Sequence, residues 1–125
     1  MISLALILGL AVLVAGLRIR VVLAEQACLA AASSADVRVA GPLFSPEIVE
    51  VQRGKRLGIT MPEGWWVNDS KNQTVLASTI DCPSTTRARA FIARTPGRAD
   101  VVLGPGSSPY VGARYFYTVV HVVVP

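Results

Sequence analysis

The first seventeen residues, MISLALILGLAVLVAGL, carry no charged side chain. A helix on the surface of a soluble domain keeps one polar face, and this run has none, so it must be apolar on every side. That demands a bilayer, a translocon or a bundle of like helices around it. The expectation is an uncleaved apolar helix whose residues 1–24 meet lipid or copies of themselves. Arg18 and Arg20 come directly after the run, and the Ala-rich stretch Ala27 to Ala35 contains neither Gly nor Pro, so helix extends to about residue 35. The small-residue sites at Ala30–Ala32 and Ser33–Ala35 lie too far beyond the apolar core to mark a cleaved signal peptide. The arginines on the C-terminal side would by themselves hold the rest of the chain in the cytoplasm. The expectation is nevertheless a membrane-anchored chain with its domain outside the cytoplasm, at the cell surface or in the periplasm.

Gly41-Pro42 and Ser45-Pro46 end the helical region, because two prolines this close cannot continue a helix and favour extended chain. This divides the chain into 1–40, helix with extension and linker, and 41–125, a single small domain of about eighty-five residues. Beyond the boundary the apolar period shortens to two. Ile48, Val49 and Val51, then Leu57, Ile59 and Met61, read as two strands joined by the turn Gln52 to Lys55. Trp65-Trp66-Val67, Thr74 to Thr79, Thr86 to Arg94, Ala99 to Leu103 and Tyr115 to Val124 are the remaining strands, with Gly, Pro and Asn turns between them. About seven short strands at this spacing, with no helical period, predict an all-β antiparallel sandwich of immunoglobulin type.

The inventory of side chains excludes most chemistry. His121 is the single histidine, the eight carboxylates are dispersed, and no nucleophile stands beside a general base. No Cys/His spacing matches a metal site and no Gly-rich loop opens a helix, so neither an enzyme nor a cofactor is expected. The net charge of +4 comes from scattered Lys and Arg, and the tightest group, Arg53, Lys55 and Arg56, falls in a turn. A nucleic-acid surface needs basic residues gathered on one face with aromatics among them, and no such face is expected here. Arg87 and Arg89 share a strand face, which reads as solvated. The sequons at Asn68 and Asn72 occupy a polar loop and carry no functional weight.

Cys28 and Cys82 allow one disulfide, which would staple the helix to the sandwich; without it, each cysteine is a small buried hydrophobe. Adjacent Trp65 and Trp66 point to opposite faces, so one fills the core while the other meets solvent or a partner. In the last strand Phe116, Val120, Val122 and Val124 share one face, and Tyr115, Tyr117, Val119, His121 and Val123 share the other. The partner surface expected from these patterns comprises Pro62, Glu63, Gly64, Trp65, Trp66, Tyr115, Tyr117 and His121.

Several runs from Pro46 to Val124 carry a family likeness. They are VEVQRGKRLGITMP, Gly64-Trp65, Val75-Leu76, FIARTPGRADVVL and a closing Phe-x-x-x-Val-x-Val. Together they resemble bacterial relatives of chagasin, the immunoglobulin-like inhibitors of papain-type cysteine peptidases. The resemblance implies a scaffold of that kind. The family's inhibitory loop Asn-Pro-Thr-Thr-Gly-Tyr is replaced by Pro62 to Trp65, its Gly-rich loop by Asp81 to Thr85, and its Arg-Pro-Trp by Gly104 to Tyr110. The residues themselves read as a membrane-anchored, non-catalytic module that binds another protein or serves as an accessory subunit. Two alternatives stand beside it: a pilin-like filament subunit assembled through the apolar helix, and a chagasin-like peptidase inhibitor.

Overall fold

Alternation of apolar residues decides which face of each strand is buried. The computed structural model describes residues 23–106 and 117–125. In it a helix, α1 (residues 23–33), precedes eight strands. These are β1 (Val37–Ala40), β2 (Glu47–Glu50), β3 (Arg56–Thr60), β4 (Trp65–Val67), β5 (Leu76–Ser78), β6 (Ala88–Ala93), β7 (Gly97–Pro105) and β8 (Thr118–Val124). In β8 the pattern is plainest: Thr118, Val120, Val122 and Val124 are buried, while Val119, His121 and Val123 are half-exposed.

The strands form two four-stranded sheets, ordered β1-β3-β6-β5 and β2-β8-β7-β4. This is the A-B-E-D and C-F-G order of an immunoglobulin-like sandwich, with β2 added beside the last strand. Between the sheets lies one apolar core, in which Leu57, Ile59, Leu76 and Phe91 from the first sheet meet Val67, Val101, Leu103, Val120 and Val122 from the second, all fully buried. Two edge pairings depart from the all-antiparallel expectation: β1 runs parallel to β3, and β2 parallel to β8.

Eight strands stand where about seven were expected, and the addition is β1, in a segment that the sequence places in the linker. Val37 sits opposite Leu57 and Val39 opposite Ile59, and Val39 is buried in the core. Three alternating residues after an Ala-rich helix are too short a signal to show a strand, and the neighbouring β3 supplies the pairing that makes it one.

β6 is buried on both faces. Arg89, Phe91 and Ala93 point toward the other sheet, while Ala88 and Ala90, which point away, are equally buried. The cover on that outer side is α1. Gly58, paired with Ala90, has no room for a Cβ because the backbone of Ala32 occupies the place, and Cys28 and Ala32 are buried with it. Small residues on helix and sheet thus let the two backbones approach closely. No helix among the described residues is long and apolar enough to cross a membrane. Of residues 1–24, on which the membrane-anchor and filament expectations rest, 1–22 lie outside the described residues.

Candidate functional site

Strand register brings three connections to one end of the sandwich. β3 stops at Thr60 where β6 begins at Ala88, and β4 begins at Trp65 where β7 stops at Pro105. The β3–β4 turn, the segment leading into β6, and the residue after β7 therefore lie side by side. Backbone bonds pin them: Met61 N–H donates to the Arg87 carbonyl at 2.8 Å and Val67 N–H to the Thr86 carbonyl at 2.9 Å. The β3–β4 turn is closed by Trp65 N–H donating to the Pro62 carbonyl at 3.1 Å, and Gly64 holds a left-handed φ of 83° in it. A residue with a Cβ adopts that conformation only at a cost.

The two strand arginines, read from sequence as solvated, are drawn inward instead. Arg87 donates from its guanidinium to the Met61 carbonyl at 3.1 Å. Arg89 is buried and donates from Nε to the Val67 carbonyl at 2.5 Å and from a terminal nitrogen to the Pro83 carbonyl at 3.3 Å. Burial pushes the Arg89 pKa below its ordinary value, and the charge of Asp69 pulls it partly back. Arginine stays cationic at neutral pH, so this is a buried charge held by backbone carbonyls. It ties β6 to β4 and to the 83–86 turn, across the gap between the sheets.

At this end is a cavity of about 350 Å³ lined by Glu63 and Gly64 of the turn, Trp65 and Trp66 of β4, Thr85, Arg87 and Gly106. Its remaining wall is Glu25, Gln26 and Leu29 of α1. The helix is fastened there covalently: Cys28 and Cys82 form a disulfide with an S–S distance of 2.10 Å and Cα atoms 6.1 Å apart. Outside the cavity Phe44, 66% exposed, meets the Trp65 ring edge-on with centroids 5.6 Å apart.

Of the residues expected to form a partner surface, Glu63, Gly64, Trp65 and Trp66 line this cavity and Pro62 shapes its turn. Both tryptophans are buried, contrary to the expectation that one would face solvent or a partner: Trp65 enters the core, and Trp66, on the opposite face, is only 4% exposed. Its indole N–H finds no acceptor among the described residues. Tyr117 is exposed at the start of β8, near this end, but does not line the cavity. His121 stands four residues further along, roughly 13 Å away at strand rise, where its Nδ1 lies 2.8 Å from an Asp100 carboxylate oxygen. Tyr115 and Phe116 lie outside the described residues. Leu29, Glu25, Gln26 and Phe44 were not legible as site residues, and the one sequence signal for the helix wall was the Cys28 and Cys82 pair.

No three or more His, Cys, Asp or Glu side chains cluster as metal ligands among the described residues. The end of the sandwich offers a recessed aromatic floor, an acidic turn and backbone edges, which suit contact with another protein.

No family model matches the chain, and no curated protein does. Among solved structures, the chain is similar to the cysteine protease inhibitor EhICP2 from Entamoeba histolytica, at 15% identity and a TM-score of 0.42, covering 68% of this chain and 100% of that one. It is also similar to the solution structure of amebosin, at 18% identity and a TM-score of 0.40, again over 68% of this chain and all of the other.

Proposed function

We propose that this chain is a non-catalytic immunoglobulin-like module that binds a papain-type cysteine peptidase through the end where its three connections meet. The observation that carries this reading is the convergence on one cavity of Glu63, Gly64 and Trp65 from the stretch Pro62–Trp65, Thr85 from Asp81–Thr85, and Gly106 from the residues that follow β7. These are the three places at which the sequence resemblance sets the family's inhibitory loops. The residues there differ from the family's, so the contact is made differently: Glu63 and Gly64 form the tip, with the Phe44–Trp65 pair beside them. Aromatic groups at the centre of a contact and charge at its rim are the usual division of labour in protein interfaces.

The disulfide supports an oxidising location, outside the cytoplasm, since such bonds persist there and are rare in reducing compartments. In this reading residues 1–24 hold the module at a membrane, and the peptidase meets the loop-bearing end. The test is a titration of the full-length chain, in mild detergent, against papain. Slowing of substrate hydrolysis at sub-micromolar concentration is expected; unaltered hydrolysis at high micromolar concentration would refute the peptidase as partner.

A further inference from the structure

We infer that the Cys28–Cys82 disulfide is a redox latch that holds α1 against the loop end and controls access to the Trp66 cavity; the functional meaning of that access rests on the reading above. Gln26 and Leu29, which flank Cys28 in α1, line the cavity on one side, and Thr85, three residues after Cys82, lines it on another. One covalent bond therefore joins two of its walls.

The two halves of α1 are held very differently. At the C-terminal half, Ala32 is buried with its backbone over Gly58, and Ala35 is buried just beyond the helix. At the N-terminal half Leu23 is 62% exposed, Gln26 and Ala27 are exposed, and no side chain of residues 23–27 makes a hydrogen bond or ion pair to the sandwich among the described residues. Ala24, Glu25 and Leu29 are half-buried, and Glu25, Gln26 and Leu29 line the cavity, so beyond the disulfide that half is held by side-chain packing alone. The central core contains no residue of α1, so the sheets keep their packing when the bond opens.

Exposure also decides how it opens. Cys28 is fully buried and Cys82 partly exposed. The thiolate of a dithiol reductant attacks Cys82 Sγ, the S–S bond breaks, and Cys28 leaves as a thiolate that takes up a proton. The reductant's second thiolate then attacks the mixed disulfide and releases Cys82 as a thiolate, which is protonated in turn. Two electrons and two protons pass to the protein, and the reductant becomes a disulfide. The N-terminal turns of α1 are then free to swing from the cavity, hinged at Ala32.

The experiment is acrylamide quenching of tryptophan fluorescence in the full-length chain in detergent, oxidised and after dithiothreitol, with thiols counted by N-ethylmaleimide mass shift. It needs no peptidase, so its outcome is independent of the partner's identity. Reduction should raise the quenching constant about twofold while the strand circular dichroism stays unchanged, as expected for local opening. Trp66→Phe should abolish that increment. The double variant Cys28→Ser/Cys82→Ser should show the raised value without reductant, which covers the case in which Trp66→Phe fails to fold. Unchanged quenching with both cysteines alkylated would overturn the latch. So would a rise accompanied by loss of the strand signal, which would make the bond a general staple of the fold.

Discussion

Arg89 shows what a charge costs and does inside this sandwich. Its stem runs along the core face of β6, and its guanidinium is spent on the carbonyls of Val67 and Pro83. Truncation leaves those acceptors buried and unpaired, so Arg89→Ala should lower stability by about 2–4 kcal/mol in a urea melt. Arg89→Lys keeps the charge but loses the fork that reaches two carbonyls at once, and should recover only part of that loss. A loss below half a kilocalorie for Arg89→Ala would mean that water replaces the guanidinium. Sequence shows the period of TRARAFIAR but not this outcome. Alternation gives the face of an arginine, whereas its environment depends on the 83–86 turn packing beside it. Trp66 teaches the same lesson, since its opposition to Trp65 was legible and its burial was not. What encloses it comes from α1 and from the 85–87 segment, remote in sequence.

At the scale of elements, seven of the eight strands were legible, the edge strands β2, β4 and β5 among them, and β1 was not. β8 alternates as its sequence does, whereas β3 and β6 are buried on both faces where α1 covers them. β1 exists because β3 offers it an edge, and the disposition of α1 depends on a glycine that looks unremarkable in sequence. Gly58 is the test of that packing. With no space for a Cβ beneath Ala32, Gly58→Val should push α1 off the sheet, costing about 2–3 kcal/mol by overpacking. Hydrogen exchange should quicken in α1 well before it does in β6 or β8; uniform acceleration across all three would show that helix and sandwich unfold as one unit.

Among the described residues, two sheets, one core and a covalently attached helix bring loops, aromatics and helix together at one end. Phe91 sits at the centre of that core, and Phe91→Ala should cost about 3–5 kcal/mol in the same melt while leaving the loop-end residues untouched. The central claim concerns the end itself. It is tested most directly by paired papain titrations of the wild-type chain and Glu63→Arg, since Glu63 is exposed at the turn tip and reversing it disturbs no core contact. The account predicts sub-micromolar inhibition by the wild type and a loss of about tenfold in the variant at equal melting temperature. Equal inhibition by both chains, or none by either at high micromolar concentration, would contradict it.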